Sequence, residues 1–142
     1  LTGMAASVSP GRGPLALAAV LLALATIAGA VGAHALPHDW PALRVHVYDV
    51  AVRYQFYQSL GLLCMGLWLN SRTLGEQPAR MRAATHNCRT SARVLGVAIV
   101  LFSGSLYALC LGAPRWVGVL TPMGGALMIA AWVWFALALW RS

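Results

Sequence analysis

Four long stretches of this chain carry no charged side chain, and that feature limits what it can fold into. They run from Pro14 to Leu36, from just beyond Arg53 to Leu69, from Val94 to Ala113 and from Trp116 to Trp140. An α-helix rises about 1.5 Å per residue, so roughly 20 residues cross ~30 Å of hydrocarbon. The first, third and fourth stretches have that length. The second is short, so its helix starts inside the preceding loop or tilts little. No stretch sustains the period-two alternation of a membrane β-strand. Only 9% of the residues are charged, against about a quarter in a soluble domain. Ten basic and three acidic side chains cannot clothe a soluble globule of 142 residues. The expected fold is therefore all-α: a single membrane domain, an integral four-helix bundle with spans near 14–36, 53–69, 94–113 and 116–140.

The net charge of +7 comes from ten basic residues, all arginine, against three acids. These charges lie between the apolar runs instead of along one face, which argues against nucleic-acid binding. Four crossings put both termini on one side, together with Arg12, Arg72, Arg80, Arg82, Arg89, Arg93 and Arg141. The other side keeps Arg44, Arg53 and Arg115. Basic residues of short loops stay in the cytoplasm, so both termini are expected there, in a bacterial inner membrane. Trp40, Tyr54 and Trp116 would then mark the outer interface, and Trp68 and Trp140 the inner one. The first run also reads as a secretory signal, with Ala33-His34-Ala35 as its cleavage site. Its length exceeds a normal signal core, which favours a retained span. Leu1 is an unusual first residue; either Met4 initiates or a non-ATG codon stands literally translated.

The outer loop, 37–52, opens with the turn-rich Pro37-His38-Asp39-Trp40-Pro41. Ala42 to Val52 can form a short interfacial helix leading into the second span, with Asp49 and Arg53 one helical turn apart. The cytoplasmic loop, 71–93, is rich in arginine. Arg72, Arg80, Arg82, Arg89 and Arg93 either meet anionic headgroups or form a docking surface for a partner. Small residues recur at packing spacing: Ala25, Gly29 and Ala33 in the first span, Gly104, Ala108 and Gly112 in the third. Gly124-Gly125, after Pro122, marks a kink or a very close approach in the fourth.

Counted from the outer boundary at ~1.5 Å per residue, the strongly polar spanning residues fall in the outer half. His34 lies within a turn of it, Gln55 at ~5 Å, Thr121 at ~6 Å, Gln58 and Tyr107 at ~9 Å and Ser105 at ~12 Å. A polar group in hydrocarbon costs several kcal/mol unless it finds a partner. These six residues either bond one another as structural glue or line a ligand pocket open to the outer face. No second histidine stands at the depth of His34 for a haem. No thiolate or carboxylate set supports a metal, and Ser103 and Ser105 lack a base for nucleophilic catalysis. Spans free of Asp and Glu argue against a proton-driven transporter. No cofactor and no enzymatic activity are expected. Cys64, Cys88 and Cys110 stand at different depths and read as packing thiols.

Four short motifs then form a pattern, one per span. Gly29-Ala30-Val31-Gly32-Ala33-His34-Ala35-Leu36 closes the first, Tyr54-Gln55 opens the second, Leu101-Phe102-Ser103-Gly104-Ser105-Leu106-Tyr107 lies in the third, and Thr121-Pro122-Met123-Gly124-Gly125 in the fourth. In this order they resemble the YgdD-like family of small inner-membrane proteins of unknown function. The resemblance implies a four-helix bundle whose motifs converge near the outer face, and it implies no activity. Two departures stand out. The family usually has a second histidine where this chain has Gln58, which can hydrogen-bond but cannot titrate. The loop at 71–93 is also longer and more basic than the family's.

These readings point first to an accessory or assembly subunit of a larger membrane complex, held among lipids and other integral subunits. The alternative is binding or transport of a small amphipathic molecule, a lipid or quinone, by the outer polar residues.

Overall fold

The computed structural model describes residues 11–72 and 78–141. Its helices are α1 (Arg12–His34), α2 (Ala42–Ser71), α3 (Ala79–Cys110) and α4 (Leu120–Trp140), with a 3-10 turn, Arg115–Val119, leading into α4. No strand occurs among the described residues. Local chemistry sets the boundaries. Pro41, Pro78 and Pro114 stand immediately before α2, α3 and the 3-10 turn. There the fixed φ of proline suits the helix entry and its missing N–H costs nothing. Their carbonyls accept the first helical bonds, from Arg44 at 2.8 Å, Arg82 at 3.1 Å and Val117 at 3.0 Å. At the end of α3 the chain reverses through Gly112 at φ +93°. The Ala113 N–H bonds the Ala108 carbonyl and the Gly112 N–H bonds that of Leu109, the paired closure that glycine permits after a helix.

Two helices are longer than their apolar runs. The segment expected as a cytoplasmic loop, 71–93, is helical from Ala79, so Arg80, Arg82, Arg89 and Arg93 stand on α3; residues 73–77 of it lie outside the described residues. An apolar run measures a hydrocarbon span, not a helix, and nothing from Ala79 to Val94 breaks one: no proline, no glycine, and several alanines and arginines. Likewise the expected interfacial helix is continuous with the second span, giving a 30-residue α2. Three of the helices, α1, α3 and the turn with α4, are long and apolar enough to cross a membrane. The expected second span, in α2, is less apolar, because Tyr54, Gln55, Tyr57 and Gln58 interrupt it.

Each helix packs on the next in sequence, and α3 is central, touching α1, α2 and α4. Neighbours run antiparallel: Gly11 meets Gly66 while Gly32 meets Tyr48, and Ser103 meets Ala51 while Cys110 meets Arg44. Arg12 and Arg141 therefore share one end, here the arginine end, and His34 marks the other. Leu62, Met65 and Leu69 of α2 interlock with Leu95 and Ile99 of α3, all essentially inaccessible, and Met128 of α4 joins them. Glycines let the helices close: Gly61 lies under the Trp132 ring, Gly66 under Leu15 and Gly96 under Leu17. Gly124 is a close approach, since a Cβ there would lie 2.6 Å from the Phe102 backbone nitrogen. Ala25 is buried, and Gly29 packs loosely on Val52. Gly104 is different: nothing lies within 4 Å of where its Cβ would be.

Gly124→Ala is expected to destabilise the detergent-solubilised protein by about 1–3 kcal/mol through overpacking. Gly104→Ala should instead stabilise it by up to ~1 kcal/mol, the gain in helix propensity. Thermal unfolding of the two variants side by side checks the contrast.

Candidate functional site

The polar residues of the helices bond one another, in three separate groups. Gln55 on α2 is 5% exposed. Its amide nitrogen donates to the Leu21 carbonyl of α1 at 2.9 Å, and its Oε1 accepts the Tyr107 hydroxyl of α3 at 2.9 Å. One glutamine thus ties three helices. Beside it, Ser103 donates to the Ala51 carbonyl at 3.0 Å. The second group joins α3 to α4: the Ser105 and Thr121 hydroxyls lie 2.6 Å apart. In the third, Gln58 turns away from Gln55 and accepts the Trp132 indole N–H of α4 at 2.7 Å. His34 joins none of them. It ends α1 exposed, as an outward side chain at the rim.

This arrangement corrects the expected depth of Gln55. The Leu21 carbonyl is ten residues into the 23-residue α1, so Gln55 sits near mid-height, not one turn from the His34 rim. The physical reason is the early start of α2. Asp49 and Arg53 pair at 2.7 Å as i,i+4 neighbours, and a helix that carries such a pair extends past the last charge. Nor do the six residues form one pocket at the His34 end.

Sequence reasoning missed Tyr48, Trp132 and the bonding role of Ser103. Tyr48 donates to the Ala28 carbonyl at 2.7 Å. It was findable: continuing the buried seam of α2 (Gln55, Ala51) one turn toward Pro41 reaches Tyr48. Nothing in the sequence marks Trp132 as the partner of Gln58, because that contact joins helices with no Cα atoms within 8 Å.

Two concavities accompany these groups. A groove of about 570 Å³ at the His34 end is walled by Gly29, Gly32 and Ala33 on α1 and by Tyr48, Asp49 and Arg53 on α2. A crevice of about 310 Å³ opens between α1 and α3, with Leu21, Leu24, Val100 and Gly104 as walls and Gln55 and Tyr107 at its floor. Leu24 and Val100 are half exposed, so the crevice opens sideways, toward whatever surrounds the helices. Its floor amide and phenol are engaged with each other and with the Leu21 carbonyl, which leaves a mainly apolar cleft.

Long apolar helices joined by buried polar pairs, with large hydrophobic side chains facing outward, define a helical membrane protein. Residues 28–125 match the family described as protein of unknown function (DUF423), a span that opens at the Gly29 motif and closes at Gly125. The relatives are named UPF0382 membrane proteins. One from Staphylococcus saprophyticus is 35% identical over 117 residues, 82% of this chain and 88% of that protein. YwdK of Bacillus subtilis is 32% identical over 122 residues, 86% of this chain and 91% of that one. The inner membrane protein YgdD of Escherichia coli is 32% identical over 104 residues, 73% and 71% of the two chains. The chain belongs to this family, as its four motifs suggested. No solved structure matches it.

Interhelical hydrogen bonds in membranes average about 0.6 kcal/mol and reach ~1.7 kcal/mol. A double-mutant cycle of Tyr107→Phe and Gln55→Leu is expected to give a coupling at the upper end of that range, because Gln55 is buried. Reversible unfolding in mixed micelles measures it, and a coupling of zero would remove the pair from the structural account.

Proposed function

We propose that this chain is a non-enzymatic inner-membrane protein that binds an amphipathic molecule, a lipid or quinone, by its apolar chain in the crevice between α1 and α3. In this reading all four helices span, with both termini in the cytoplasm. Arginine-capped tryptophans support the crossing of α2. Arg44 lies over the Trp40 ring at 5.2 Å and Arg72 over Trp68 at 5.0 Å. From Arg44 to Arg72 the helix rises about 42 Å at 1.5 Å per residue, close to the 40–45 Å of a bilayer with its headgroups. The positive-inside preference puts the arginine end in the cytoplasm.

The observation that carries the ligand reading is the crevice itself. Elsewhere α3 is closely packed, yet along α1 it leaves an open-sided cleft whose floor hydrogen bonds are already made. Such a cleft suits an apolar chain better than a head group. A second reading, an accessory subunit of a larger complex, is favoured by the outward face of α4, where Ile129, Val133, Trp134 and Leu137 are exposed.

Native mass spectrometry of the gently extracted protein separates the two. The ligand reading expects a lone chain with a constant added mass of a few hundred daltons. That mass should be lost in Gly104→Leu, which fills the cleft, and kept in His34→Ala, which lies away from it. Retention of the full mass by a folded Gly104→Leu variant would overturn this reading. A stoichiometric assembly with other chains, and no small ligand, would replace it by the accessory role.

A further inference from the structure

We infer that the crevice is the upper part of a binding groove for one anionic phospholipid, whose phosphate sits on Arg89 and Arg93. This rests on the proposal that an apolar chain occupies the crevice, and it names the other end of the molecule. The argument starts from the register of α3. Arg82, His86, Arg89 and Arg93 follow one another at spacings of four, three and four, so at 100° per residue they share one narrow face. The same face continues with Val97, Val100 and Gly104. Val97 and Val100 are more than half exposed, and Val100 and Gly104 are walls of the crevice. One face of one helix therefore changes from basic to apolar and ends in a cleft.

The neighbouring helix agrees in height. Leu17 of α1 covers Gly96, one turn above Arg93, so Arg93 lies at the level where α1 begins. Within the described residues, Arg82, Arg89 and Arg93 form no ion pair, and the one salt bridge is at the other end of the molecule. Two guanidinium groups at i,i+4 without carboxylate partners are suited to a phosphate, to which arginine can bond in a bidentate way. Lengths fit as well. Arg93 and Arg89 stand about 16 and 22 Å from Gly104 along the helix. A single leaflet with its headgroups is about 20–22 Å deep. A lipid with its phosphate on the arginines thus brings its chain end to the crevice floor. Arg80 points the other way, about 160° around the helix from Arg82, and is not part of the site.

The test uses the full chain, delipidated in a neutral detergent and titrated with dioleoylphosphatidylglycerol or dioleoylphosphatidylcholine under native mass spectrometry. One saturable phosphatidylglycerol adduct is expected, retained about thirtyfold more tightly than phosphatidylcholine, as two basic contacts imply. The double variant Arg89→Gln/Arg93→Gln should lose that preference, and Arg80→Gln should keep it. Gly104→Leu should weaken retention of both lipids while circular dichroism shows unchanged helicity, since open space receives the new side chain. Glycerol phosphate, which has the anion without the chains, should not bind measurably. Equal retention of the two lipids, a preference unchanged in the double arginine variant, or glycerol phosphate binding as tightly as the lipid would each overturn the inference. Decylubiquinone serves as the control for the crevice alone. If it binds and Gly104→Leu expels it while phosphatidylglycerol shows no preference, the crevice reading stands and this one falls. If Gly104→Leu affects neither probe, both fall.

Discussion

Hydrocarbon offers no hydrogen-bond partner, so every polar group that enters it has to find one inside the protein. The structure depends on how this chain meets that demand. Its backbone does so by forming helices. Most of its few polar side chains do so by bonding across helices, often to backbone carbonyls: Gln55 to Leu21, Ser103 to Ala51, Tyr48 to Ala28 and Ser91 to Ala131. The buried Ser59 hydroxyl is the exception, with no partner among the described residues. Each such bond locks a register as well as satisfying a donor. A slip of one residue in α2 against α1 would leave the Gln55 amide facing no carbonyl and Tyr107 without its acceptor. Polar residues in this chain thus perform the task that a hydrophobic core performs in water.

Close packing follows from the same setting. Apolar side chains gain little by leaving lipid for a protein interior, so van der Waals contact must hold the helices, and contact improves where a glycine lets a neighbour approach. Gly61, Gly66, Gly96 and Gly124 each receive a bulky group from another helix. Gly104 receives none, although it has the same residue type and lies on the same helix as Gly96. Its empty notch, between walls of leucine and valine, is what makes the crevice. The groove we propose for a lipid is therefore a place where the packing rule is left unfulfilled, on the face of α3 that becomes basic toward the arginine end.

Much of the fold could be read directly. The apolar runs gave the number of helices and their order, the turn at Pro37–Pro41 gave the helix that starts at Ala42, and four motifs gave the family. Two kinds of feature were not legible. Helix ends beyond the hydrocarbon were misjudged at Arg80–Arg93, because charge density says where a segment leaves the apolar layer but not where its backbone stops being helical. Depth was misjudged for Gln55 for a related reason: it was counted from the last charged residue, and the Asp49–Arg53 pair continues the helix past that point.

What the sequence determined by itself is periodic and local: which segments are apolar, where proline and glycine interrupt them, which residues share a helical face. The basic-to-apolar stripe of α3 is already present in that register. Only the tertiary structure decided which face meets which neighbour. It sent Gln55 to α1 and α3 but Gln58 to Trp132 on α4, left His34 outside, closed Gly96 under Leu17 and left Gly104 open. The physical reason is that side chains three residues apart on a helix diverge by about 60° around its axis. Whether two such neighbours meet the same helix or different ones depends on interhelical angles and distances that no single helix contains.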